Sequence, residues 1–320
     1  MPATKLCAES SITFRSRNGF VFLTMLTEEL MREVRRLEIR ARRRVDDLFS
    51  GEYHAAFKGQ GVEFAEVREY EPGDDVRSID WNVTARAGHP FVKRFIEERQ
   101  LTILLCIDAS ASTRFGTVGR SKARLAAEVA AVLAMAASKN NDRVGLIRYA
   151  DEVELFLPPR KGRTHLLRVI RECLSTEPHG SDAGVLDTLQ MARTVVRQHS
   201  IVFLLGDLQI AADRREAFTH ALRMASHRHE IIGVRTSDPR ELDIPAMGLV
   251  EMVDPETGRR ALVDTSSAAT RRRFHDAARR ERQSVEHMLR SAKADLIDVS
   301  TGRSFGTDLM RYFHAREKRR

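Results

Sequence analysis

The sequence predicts an α/β protein built on a doubly wound, mostly parallel sheet, with an N-terminal helix and a small β-rich extension ahead of it. Three observations carry this. From Leu101 onward, strand-length apolar runs alternate with longer helical stretches. Two of those runs, Leu101–Ile107 and Ile201–Leu205, are apolar without a break, as strands buried on both faces are. Before residue 100 the pattern changes to one helical face and then to short strands punctuated by turn residues.

Taken in order, residues 1–26 show no sustained periodicity and read as a loose extension. From Thr27, apolar residues fall at Leu30, Val34, Leu37, Ala41, Val45 and Leu48, one face of an amphipathic helix. Thr27 suits its N-cap and Gly51 its end, but the spacing does not say whether the face packs on this chain or on a partner. Val62–Tyr70 and Phe91–Glu98 read as strands around the turn Glu71-Pro72-Gly73-Asp74, with Trp81 as the expected core anchor. Residues 27–99 thus form a first unit and residues 100–320 the α/β domain. Within the latter, helices are expected at 121–139, 163–173, 184–198, 213–227 and 267–293, followed by a C-terminal helix. Strands are expected at Arg143–Ala150, Val153–Leu157, Ile231–Arg235 and Leu296–Val299, with a hairpin around Asp254–Arg259.

Composition narrows the function. A chain of 320 residues with 42% hydrophobic and 31% charged residues has ample material for a core and is not disordered. The longest N-terminal apolar run, Gly19–Leu23, falls far short of the ~18–20 residues a membrane span needs, and no secretory signal is expected. Cys7, Cys106 and Cys173 are odd in number and widely spaced, which predicts neither disulfides nor a cysteine zinc site and points to a reducing cytoplasm. The net charge of +8 is concentrated in Arg32–Arg44, Arg271–Arg282 and the tail Arg316–Arg320, leaving the rest slightly acidic. No aromatic residues are interleaved there for base stacking, so these runs read as solvated helix faces rather than a nucleic-acid footprint.

The chemistry is concentrated in Asp108-Ala109-Ser110-Ala111-Ser112, immediately after the first buried strand. The second such strand ends in Gly206-Asp207, and Gly180-Ser181-Asp182 lies on a loop entering a helix between them. In a sheet of order 3-2-1-4-5-6 the first and fourth strands are neighbours, so Asp108 and Asp207 are expected to face one another at the switch point. Oxygen donors without histidine or cysteine suit a hard divalent cation, Mg²⁺ first, with Mn²⁺ or Ca²⁺ as alternatives. The predicted ligands are Asp108, Ser110, Ser112, Ser181 and Asp207. Elsewhere, the acids of Glu71–Asp75 read as a turn paired to Arg68, Arg77 or Arg86. Cys106 reads as a small core residue. His54, His89, His165 and His179 lack metal-binding spacing, and neither a phosphate-binding loop nor a Gly-x-Ser-x-Gly elbow occurs.

Asp108-x-Ser110-x-Ser112 with Ser181 and Asp207 resembles the metal-ion-dependent adhesion site of von Willebrand factor A domains. Upstream, Phe57–Phe64 and Arg68–Asn82 resemble family fifty-eight of the bacterial domains of unknown function, as do Leu157–Gly162 and Ser237-Asp238-Pro239-Arg240-Glu241. The likeness spans roughly residues 28–315. It implies an A-type fold and a non-enzymatic adaptor working with a MoxR-type AAA+ ATPase or that ATPase's client. Two positions depart from the family pattern: Ser181 stands where threonine is usual, and Gly206 where serine is usual. The competing readings are a metal-dependent phosphoesterase in the same crevice and nucleic-acid binding by the basic helices.

Overall fold

The structure is a computed structural model that describes residues 63–96 and 100–319, together with helical residues between 32 and 45. The expected extension 1–26 and the Phe57–Val62 part of the upstream motif lie outside the described residues. A six-stranded sheet forms the centre, built from β3 (Thr102–Asp108), β4 (Arg143–Tyr149), β5 (Val153–Arg160), β6 (Ile201–Gly206), β7 (Glu230–Ser237) and β10 (Asp295–Ser300). Its order is β10-β7-β6-β3-β4-β5, and every pairing is parallel except that of edge strand β5 with β4. That is the doubly wound order expected, with the first and fourth strands of the domain side by side.

The strands are apolar throughout because helices cover both faces. Ile103, Leu105 and Ile107 of β3 pack in a cluster with α3 (Lys122–Lys139), α4 (Arg163–Leu174) and α8 (Phe305–Glu317). The alternate residues Leu104 and Cys106 pack with α5 (Val185–Val195), α6 (Arg215–Ser226) and α7 (Ala268–Ser291). Alternation along one strand thus sorts side chains into two cores. Cys106 and Cys173 are buried free thiols, and burial pushes both thiols well above the usual range.

The N-terminal helix, α1, is described without a break over residues 34–41. Its face Val34, Leu37, Ala41 and Val45 is buried in the cluster that holds Val132, Leu166 and Phe305, so it packs on this chain. Glu38 reinforces the contact with an ion pair to Arg163 at 2.9 Å.

Before the sheet, β1 (Glu63–Glu69) and β2 (Phe91–Ile96) pair antiparallel. Between them the turn is held by Arg68, whose guanidinium meets Asp74 at 2.6 Å. Trp81 corrects an expectation: it is 66% exposed and anchors no core. Asp80 accepts from the Asn82 and Val83 amides, and Gly88 ends the turn at φ +81°, so α2 (Trp81–Ala87) forms where no helix was expected. Trp81 is its first residue and faces outward. Beyond β7, β8 (Leu249–Val253) and β9 (Arg260–Asp264) form the expected hairpin apart from the main sheet.

Candidate metal centre

Because β3 and β6 are parallel neighbours in register Ile107↔Leu205, their ends place Asp108 and Asp207 at the same edge. Both aspartates are buried, as are Ser110 and Ser112. Asp108 Oδ1 accepts the Ser110 amide at 2.7 Å, which folds the loop back over the strand end. A 3-10 turn, Ala111–Arg114, then brings Ser112 Oγ to 3.0 Å from Ser110 Oγ. The third loop is pinned alongside: the Ala111 amide donates to the Gly180 carbonyl (3.1 Å) and the His179 amide to the Ala109 carbonyl (2.8 Å). Ser181 therefore lies on the adjoining loop, but its hydroxyl donates to Asp151 Oδ1 at 2.7 Å, not to Asp108 or Asp207.

Charged residues not among the predicted ligands complete the crevice. Lys122, at the start of α3, is 1% exposed and donates to Asp207 Oδ2 at 2.8 Å and to Glu241 Oε1 at 2.5 Å. Asp182 is buried beside them; one oxygen takes Arg214 at 2.6 Å and the other has no hydrogen-bond partner among the described residues. The two central aspartates are shifted in opposite directions from the usual carboxylate value. Burial, then the negative charge of Asp207, pushes Asp108 well above the usual carboxylate range. Burial alone would raise Asp207 too, but Lys122 beside it and hydrogen bonds from Ser112 and the Gln209 amide hold it below that range. Leu208, immediately after it, is held at φ +56°, a strained setting for a branched residue.

The profile of the family described as "Protein of unknown function DUF58" matches residues 66–284. The chain belongs to the DUF58 family. An uncharacterized protein of Mycobacterium tuberculosis is 31% identical over 296 residues, covering 91% of this chain and 90% of that protein. YeaD of Bacillus subtilis is 27% identical over 149 residues, covering 45% of this chain and 34% of YeaD. Among solved structures, BatB from Bacteroides thetaiotaomicron has 16% identity and a TM-score of 0.43, covering 68% of this chain and 99% of its own. A von Willebrand factor type A protein from Catenulispora acidiphila has 9% identity and a TM-score of 0.38, covering 70% and 43% respectively.

The glycine at position 206 has a local reason. A Cβ there would sit 2.6 Å from Asp108 Cβ and 2.7 Å from its Oδ2, so the two strand ends meet this closely only with glycine. Gly206→Ala is expected to destabilise the protein by about 1–3 kcal/mol, read as a lower urea midpoint at unchanged m.

A hard cation fits the donor set of this DUF58 chain. Among the described residues no three His, Cys, Asp or Glu side chains converge to hold a metal, so hydroxyls must supply part of any shell. Ser110 and Ser112 provide them beside two buried carboxylates.

Glu256, half-buried at the tip of the β8–β9 hairpin, feels the same acidic field. Burial, then Asp182 and Asp207, pushes its carboxyl from 4.5 up to about 7. A folded-state value above the unfolded one means that its stabilising share is complete below 4.5 and lost as the pH rises through about 7. Glu256→Gln is therefore expected to flatten the fall in melting temperature over roughly pH 4.5–8. Thermal melts in EDTA check this, and an unchanged slope would discount the acidic field at the hairpin tip.

Proposed function

We propose that this DUF58 chain is a non-enzymatic adaptor that binds one divalent cation, Mg²⁺ first, at Asp108, Ser110, Ser112, Ser181 and Asp207. Through that ion it grips an aspartate or glutamate of a partner protein. The observation that carries the reading is the meeting of two buried carboxylates with a touching pair of serine hydroxyls at the ends of adjacent parallel strands. Bound there, the cation supplies an electrophilic position for an outside carboxylate oxygen.

The protein's own residues prepare that position. Asp108 fixes the loop through the Ser110 amide, the Ser112 hydroxyl meets that of Ser110 at 3.0 Å, and the two backbone hydrogen bonds at Ala109 and Ala111 hold the Ser181 loop in place. For Ser181 to contribute, its hydroxyl keeps its proton on Asp151 and offers a lone pair. No helix among the described residues is long and apolar enough to cross a membrane, and the two buried thiols suit a reducing cytoplasm. A MoxR-type AAA+ ATPase, or its client, is the partner that the family resemblance suggests, an argument by analogy.

Pull-down of such an ATPase with wild type and Asp108→Ala, each in magnesium and in EDTA, tests the proposal. Recovery is expected only for wild type in magnesium. Equal recovery under all four conditions defeats the metal bridge.

A further inference from the structure

We propose that Lys122 sets the selectivity of this site, weakening its hold on a bare cation while strengthening its hold on the carboxylate that the cation captures. The inference rests on the cation-site reading above and concerns what tunes it.

Lys122 is costly where it stands. It occupies the first residue of α3, just after the Ser121 N-cap, where the helix dipole disfavours a positive charge. Lysine is almost never fully buried unless paired, and here the ammonium is 1% exposed. Its compensation is two carboxylates. The ammonium is held between Asp207 at 2.8 Å and Glu241 at 2.5 Å, two carboxylates for one buried cation. Glu241 is itself fixed: its other oxygen accepts the Asp238 amide at 2.9 Å in a capping box, which leaves Oε1 on Lys122. The loop carrying the serines leads directly into this arrangement, since the Lys122 amide donates to the Phe115 carbonyl at 2.9 Å.

A fixed positive charge bonded to a proposed metal ligand acts with opposite sign on the two things the site must bind. It competes with a divalent cation for Asp207 and repels it, and it attracts an incoming carboxylate. Glu241 moderates the effect by sharing the ammonium. Removing Lys122 therefore favours the bare cation, whereas neutralising Glu241 throws the whole ammonium onto Asp207 and disfavours it.

The test is Mn²⁺ titration of the full chain by electron paramagnetic resonance, with and without acetate as the carboxylate probe. Wild type, Lys122→Met and Glu241→Gln are compared, with Lys122→Met/Glu241→Gln as the variant that leaves Asp207 alone, and not Asp207 and Glu241 together, without the ammonium should the single lysine change fail to fold. Lys122→Met is expected to bind Mn²⁺ about tenfold tighter or more. The tightening that acetate produces in wild type shrinks in that variant, by the reciprocity of coupled binding. Glu241→Gln binds Mn²⁺ more weakly and keeps the acetate response. A purely structural role would weaken binding in both single variants, and that result overturns the inference. If wild type binds Mn²⁺ and the variants match it, the inference alone falls. If none of the chains binds Mn²⁺, the cation site itself falls, and the inference with it.

Discussion

Replacing Asp238 by asparagine is expected to destabilise the protein by about 3–5 kcal/mol, nearly as much as replacing it by alanine. Its carboxylate is buried, and each oxygen accepts twice. Oδ1 takes the Thr117 hydroxyl at 2.6 Å and the Arg240 amide at 2.9 Å; Oδ2 takes the Thr117 amide at 2.8 Å and the Thr301 hydroxyl at 2.6 Å. Asparagine offers one oxygen and turns an NH₂ group toward the other two donors, so at least one backbone N–H loses its acceptor in a buried setting. Hydrogen bonds to a charged group contribute about 1.5–3 kcal/mol each and do not add fully.

The same bonds offset burial and hold the Asp238 carboxyl below the usual range. A depressed folded-state value gives stability that is present above 3.8 and is lost as the pH falls through the folded value. Wild type should therefore shed this share only in acid, and the asparagine variant should lack that acid-sensitive step. Urea midpoints across pH measure both. A loss below about 1 kcal/mol for asparagine would mean that the four bonds do not act as a hub.

Asp238 also marks where sequence reading stops. Ser237–Glu241 is visible as a family motif, but its acceptors' partners, Thr117 and Thr301, come from loops far away in the chain. The strands were legible because burial on both faces leaves an unbroken apolar run, and the ends of two such runs located Asp108 and Asp207. Ser110 and Ser112 followed from their nearness to that end. The position of Ser181 was legible, but the destination of its hydroxyl was not, because Asp151 belongs to the turn after β4.

Lys122 was invisible for a different reason. A lysine in the first turn of a helix usually points to water, and only the packing of β6 and the Glu241 loop around it shows otherwise. The α2 helix carries readable caps in Asp80 and Gly88, but seven residues are too few to display a helical period. For α1 the apolar face was plain. Only the structure shows that α3, α4 and α8 cover it.

The two central aspartates, alike in sequence terms, should respond oppositely to the same change. In EDTA, Asp108→Asn is expected to raise the melting temperature. The asparagine oxygen still accepts the Ser110 amide, and the penalty of an ionisable carboxyl buried beside Asp207 disappears. Asp207→Asn should instead cost about 3–5 kcal/mol, because it removes one of the two anions that hold the buried ammonium of Lys122. It also leaves a single oxygen to serve both Lys122 and the Gln209 amide, which Asp207 now accepts on separate oxygens. Adding magnesium should raise the melting temperature of wild type and of neither variant, since each lacks one carboxylate of the proposed shell. Differential scanning calorimetry with and without the ion separates the two effects. Asp108 is thus expected to trade stability of the ion-free fold for cation binding, while Asp207 serves both. Equal destabilisation by the two substitutions in EDTA would show that Asp108 carries no such strain.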